Sequence, residues 1–173
     1  LGLPANFVAR GSMKAAAAPT SLAAPKGRSV VLAGSCSEAT RGQVAAAIAS
    51  GMPALRLDPL EIAAGKVDGA AIARWVVAQA AERPALVYSS ADPASVRAVQ
   101  ERLGRDEAGS LVEAALADAA RRLVAAGFTR LLVAGGETSG AVVNGLGVKS
   151  LQIGPEIDPG VPWTRSIGTP SLA

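Results

Sequence analysis

The chain has 173 residues, half of them hydrophobic and 3% aromatic, with a formal net charge of +3. That length suits one domain with a sizeable core, and scattered basic residues with few stacking rings argue against nucleic-acid binding. One cysteine and no histidine exclude a disulfide framework, His-ligated metal sites and Ser–His–Asp triads within the chain, and point to a cytoplasmic setting. No apolar run approaches the ~18–20 residues that would span a bilayer, and the first residues lack a signal-peptide pattern.

Residues 1–28 do not read as part of a core. Residues 1–8 fit either a short strand or the tail of something upstream. Residues 11–27 are rich in Ala, Pro, Ser and Gly, a linker composition, and Pro19 and Pro25 confine any helical turn in the alanine run 15–18. Residues 29–34 form the first convincing strand, a continuous apolar run of the kind buried on both faces. A Gly-Ser-Cys-Ser turn follows, and Ser37 or Thr40 is placed to cap a helix over 38–50. Further strands are expected at 54–58, 84–90, 130–134 and 148–153, the last alternating and at an edge. Helices are expected at 59–62 (one turn), 68–83, 95–103, 110–126 and 139–146, with 104–109 a charged loop and Gly127 a C-cap. This alternation implies an α/β fold, a three-layer αβα sandwich with a mainly parallel sheet. In such sheets ligands bind at the carboxyl ends of the strands. Three polar turns fall there: 35–37, 89–92 and 135–139.

The turn Gly135-Gly136-Glu137-Thr138-Ser139-Gly140 ends an apolar strand and opens a helix, so backbone N–H groups and the positive end of a helix dipole face any ligand. It lacks the Gly-Lys-Ser/Thr of a Walker loop and the Gly-x-Gly-x-x-Gly spacing. Anion or nucleotide binding is the expectation. Glu137 reads equally as a first-turn dipole partner or as a holder of a metal-bound water or nucleotide hydroxyl. Ser35, Ser37 and Thr40 are either an ordinary helix start or hydroxyl contacts to phosphate or ribose. Cys36 has no basic neighbour in sequence and reads as a small packing residue, not a nucleophile. The stretch 153–163, with three prolines and two glycines, reads as a rigid loop that either covers the core edge with Trp163 or places Glu156 and Asp158 near a nucleotide or its metal.

Together, Gly34-Ser35-Cys36-Ser37 with Thr40, the 135–140 turn and Gly154-Pro155-Glu156-Ile157-Asp158-Pro159-Gly160-Val161-Pro162-Trp163 resemble the carboxyl-terminal nucleotide-binding domain of the four-carbon acid sugar kinase family, whose members include threonate, erythronate and 3-oxo-tetronate kinases. The resemblance runs from about residue 29 to the end. It implies ATP-dependent phosphorylation of a terminal hydroxyl, with ATP and Mg²⁺ bound here and the acid held by a preceding domain. On that basis residues 1–28 are expected to be a tail and linker from a missing substrate domain. Residues 29–173 are the nucleotide-binding domain, short of a Lys-Ser-Gly-Asn-Phe-Gly type segment. The resemblance carries Ser35, Ser37, Gly135, Gly136, Glu137 and Thr138 over as ATP contacts; the phosphate turn adds Ser139. No catalytic base and no metal ligand set are identifiable, and Arg165 is the candidate cation for the transferring phosphoryl. The isolated chain is expected not to turn over, and its Ala-rich helices leave room for a homodimer. A non-catalytic module binding a nucleotide or sugar phosphate is the alternative.

Overall fold

Strand β1 (Arg28–Ala33) is the centre of the molecule. In the computed structural model, which describes residues 3–14, 22, 26–89, 93–168 and 172, it is flanked on both sides by parallel partners. These are β3 (Ala85–Tyr88) and β4 (Phe128–Ala134), with Val30 opposite Ala85 on one side and Leu131 on the other. The short β2 (Ala54–Arg56) pairs with the far side of β3. The order β2–β3–β1–β4 means that the chain runs from β1 to the far edge, returns to β3, and then crosses to β4 on the opposite side. Right-handed crossovers in opposite directions put helices on opposite faces.

The packing follows this rule. Alternate strand residues Val30, Leu32 and Val87 face a core built with α4 (Gly69–Val77), α6 (Arg105–Ala125) and α7 (Gly136–Gly145). That core contains Ile72, Val76, Leu116, Leu123, Phe128 and Val142. The intervening Ala33 and Leu86 face Val44 of α2 (Glu38–Ala49), with Val31, Met52 and Tyr88 alongside. The result is the expected α/β sandwich: a parallel sheet with helices on both faces.

Local chemistry sets the helix ends. Ser37 caps α2, its Oγ accepting from the Thr40 N–H at 3.2 Å. Asp58 caps α3 (Pro59–Ala63), whose first residue is proline, and Asp68 caps α4 by accepting from the Ala71 N–H at 2.7 Å. Arg28 closes the other end of α4: its guanidinium donates to the carbonyls of Val76, Val77 and Gln79 at 2.9–3.4 Å while lying over the Phe128 ring.

Several boundaries differ from expectation. Leu3–Ala9 is a helix, α1, and not a strand. The carboxyl end of the expected strand 54–58 is instead the N-cap of α3, because Asp58 engages the Leu60 N–H. Helix α4 stops at Val77, where Arg28 takes its last carbonyls. The charged loop 104–109 is mostly helix. Helix α6 begins at Arg105, with Asp106 and Glu107 complementing the dipole in its first turn. Helix α5 spans Pro93–Leu103; part of the preceding polar turn, 90–92, lies outside the described residues, as does the alanine run 15–18.

The largest difference is at the carboxyl end. The expected edge strand and rigid loop form a hairpin, β5 (Leu151–Asp158) and β6 (Val161–Ser166), in a two-stranded antiparallel sheet of its own. A two-stranded ribbon consists entirely of edges, so Pro155 and Pro162 leave ladder positions empty at little cost. Pro159 and Gly160 (φ 80°) make its two-residue turn, and the Gly160 N–H donates to Glu156 Oε1.

Candidate functional site

The carboxyl ends of the four parallel strands open into one cleft of about 1010 Å³, large enough for a nucleotide-sized ligand. At ~4.8 Å per strand the four ends span roughly 14 Å. The wall carries Gly34–Ser37 after β1, Arg56 at the end of β2 with Leu57–Pro59 after it, Ser89 after β3 and Gly135–Thr138 after β4, with α5 and α6 closing one side.

The turns after β1 and β4 are joined tightly. The Gly34 N–H donates to the Ala134 carbonyl at 3.3 Å. A methyl group at Gly34 would occupy the space of Thr138 Oγ1, which is why the position has no side chain. Thr138 itself is 3% exposed. At Gly135 a methyl group would lie 3.0 Å from Ser35 Cβ, and its φ of 117° disfavours any L side chain. The β1 turn is also tied to β3. The Ser89 N–H donates to the Ala33 carbonyl at 2.9 Å and its hydroxyl to the Gly34 carbonyl at 3.4 Å. Arg41 donates to the Cys36 carbonyl at 3.2 Å. Cys36 is half-buried, its thiol directed at the Ser89 carbonyl at 4.0 Å, a packing position.

The two helix starts in the cleft differ. At α2 the protein supplies its own cap: Ser37 Oγ holds the Thr40 N–H and lies 2.9 Å from Thr40 Oγ1. At α7 the N-cap is Gly135, with no side-chain cap. Geometry leaves the first-turn N–H groups without intrahelical acceptors, and the glycine at the cap leaves the approach open. A methyl group at Gly136 would meet nothing within 4 Å. This bare, positively polarised helix end suits a phosphate group.

Of the residues singled out from sequence, Ser35, Ser37, Gly135, Gly136, Glu137 and Thr138 all line this cleft. Ser35 Oγ accepts from the Ser37 N–H at 3.2 Å. Ser139 does not line it. Its N–H donates to the Gly135 carbonyl at 2.8 Å as the first bond of α7, and its side chain lines a second groove between β4 and the hairpin. The helix begins at Gly136, so the polar trio is its first turn and successive side chains point to different sides. Glu156, Asp158 and Arg165 sit on the hairpin and do not contribute to the cleft wall. Sequence reasoning passed over Arg56 and Asp58, which do. Their signal was available: they stand at the carboxyl end of an expected strand, 54–58, in a sheet whose ligands bind at that end. Among the described side chains on the wall Arg56 is the basic one, and Asp58, Asp106, Glu113 and Glu137 are the acidic ones. Among the described residues no three His, Cys, Asp or Glu side chains converge closely enough to hold a metal ion.

Comparison with known proteins places the chain in a family. Residues 30–173 match the family model described as a nucleotide-binding C-terminal domain. The whole chain is 50% identical to part of a 3-oxo-tetronate kinase from Pseudomonas savastanoi pv. phaseolicola and 48% identical to part of one from Cupriavidus necator, covering 40% of each. The chain thus spans about two fifths of the length of the curated relatives it matches. Among solved structures, a Haemophilus influenzae protein superposes with a TM-score of 0.79 at 36% identity, over 95% of this chain and 40% of that one. A Salmonella typhimurium LT2 protein gives 0.76 at 38%, over 96% and 40%.

Proposed function

We propose, since this chain belongs to the four-carbon acid sugar kinase family as its nucleotide-binding carboxyl-terminal domain, that its cleft holds ATP for phosphorylation of the terminal hydroxyl of a four-carbon acid sugar. Given the names of its relatives, 3-oxo-tetronate is the first acceptor to test, ahead of threonate and erythronate. The observation that carries the reading is the uncapped start of α7 at Gly135, opening into the cleft. The N–H groups of Gly136, Glu137 and Thr138 receive phosphate oxygens, and the Ser35–Ser37 turn borders them. In phosphoryl transfer the protein's work is mainly positioning and charge stabilisation. Arg56 supplies positive charge on a wall otherwise acidic and replaces Arg165 in that role. Mg²⁺ arriving with the polyphosphate would neutralise part of its charge, and Glu137, on the cleft wall, would hold one of its waters.

The acceptor acid is held by a further domain of the same protein, to which the residues before β1, 1–27, are the tail and linker, the expected boundary moving back by one because Arg28 opens the central strand, and the protein works in the cytoplasm. This chain alone binds nucleotide weakly and does not turn over. Calorimetric titration of the chain with Mg·ATP and with tripolyphosphate tests the reading. Both are expected to bind, and to compete. Absence of heat and of any thermal stabilisation with either ligand overturns it.

A further inference from the structure

Asp58 has a structural duty that uses one of its oxygens and none of its charge. Its Oδ1 caps α3 by accepting from the Leu60 N–H at 2.8 Å, and an asparagine or serine oxygen fills that role as well. Its second carboxylate oxygen meets no donor among the described residues, and Asp58 makes no ion pair with them. The residue nonetheless lines the cleft. The backbone at Asp58 is extended (φ −100°, ψ 118°), and Leu57, between it and Arg56, is 2% exposed in the core. Arg56 and Asp58 therefore project to the same side, away from that core. The sheet order puts both at the end of the cleft opposite α7. A polyphosphate whose inner groups rest on the N–H groups of α7 extends across the ends of β1 and β3, its terminal group toward Arg56. In-line displacement brings the attacking oxygen to the terminal phosphorus from the side opposite the leaving oxygen. That side is the β2 end, where Asp58 stands. Asp106 and Glu113, on α6, also line the cleft, but among the described residues no hydrogen bond fixes their carboxylates.

We propose that Asp58 is the general base of the transfer. Its second oxygen takes the proton of the acceptor hydroxyl as the hydroxyl oxygen bonds to the terminal phosphorus. The bond from that phosphorus to the bridging oxygen breaks, ADP leaves with the electron pair, and Asp58 then passes the proton to water. The inference rests on the nucleotide reading. It gives this domain the residue that activates an acceptor brought by another.

Steady-state kinetics of the full-length protein with Mg·ATP and the three four-carbon acids test it, beside calorimetric titration with Mg·ATP and a thermal melt. Asp58→Asn keeps the cap and removes the base. Its kcat is expected to fall by about a hundred- to ten-thousandfold, with KM, ATP affinity and Tm unchanged. The acid limb of the pH–rate profile, where protonation of Asp58 stops the wild type, is expected to disappear. Asp58→Ser, which also keeps a cap, should behave alike. Asp68→Asn makes the same change at the cap of α4, outside the cleft wall, and keeps the wild-type kcat. An Asp58→Asn protein that turns over normally, or that loses only ATP affinity or Tm, overturns this inference and leaves the nucleotide reading standing. A wild type that binds no Mg·ATP, or phosphorylates none of 3-oxo-tetronate, threonate and erythronate, overturns both.

Discussion

Replacing Gly34 with alanine puts a methyl group into space that Thr138 already fills. The backbone at Gly34 is not in the left-handed region, so alanine adopts it freely and the whole effect is steric. Besides the overlap with Thr138 Oγ1, the new Cβ would lie 3.2 Å from Thr138 Cγ2 and 3.3 Å from its Cβ. Thr138 is 3% exposed and cannot swing into solvent, so the first turn of α7 must move away from β1. Overpacking of this kind costs about 1–3 kcal/mol, and for a chain of this size each kcal/mol lowers Tm by roughly 2–4 °C. A fall of about 3–10 °C is therefore expected in differential scanning calorimetry. The displaced turn is the phosphate cradle, so ATP affinity should also fall, by about tenfold if ~1.4 kcal/mol of the misfit reaches the ligand. Thr138→Ala removes both Oγ1 and Cγ2, and in the double variant should recover most of the lost Tm, giving a coupling energy of about 1 kcal/mol or more. A Gly34→Ala protein that melts and binds ATP like the wild type would refute the reasoning, as would strict additivity with Thr138→Ala.

Three other substitutions separate the roles of neighbouring residues. Ser37→Ala removes the cap of α2 and should cost about 1 kcal/mol in urea unfolding. Because its hydroxyl is engaged by Thr40, ATP affinity should fall less than threefold. Gly135→Ala combines a strained φ of 117° with crowding against Ser35; both Tm and ATP affinity should drop, measured by the same two assays. Arg28→Met leaves the carbonyls at the end of α4 without their charged donor. It should lose about 1.5–3 kcal/mol in urea unfolding, with ATP affinity of the remaining folded protein unchanged.

The parallel sheet was legible because each of its main strands is a short apolar run ending in glycine or a polar turn, and such runs alternate with helical spacing. The same rule led to the Gly135 turn. Less was legible where one residue has two physically sound readings. Glu137, Thr138 and Ser139 look like a polar loop, but a glycine cap starts the helix earlier and directs their side chains apart, so Ser139 leaves the cleft that its neighbours line. Asp58 ends an apolar run yet caps the next helix. The hairpin was hidden because prolines and glycines normally break strands, and a ribbon with two free edges tolerates them. Arg56 was missed because an exposed arginine within a short expected strand looks like ordinary surface; only the sheet order brings it to the wall shared with Ser35 and Gly136.

Gly136 offers the most direct test of phosphate binding at α7. A side chain there meets no protein atom within 4 Å and projects from the first turn whose N–H groups receive the phosphates. Isothermal titration of Gly136→Val with Mg·ATP, beside a thermal melt of the same protein, should show Tm within about 2 °C of wild type, as expected for a surface change. ATP affinity should be at least tenfold lower. Wild-type ATP affinity in a normally folded Gly136→Val protein would contradict the account.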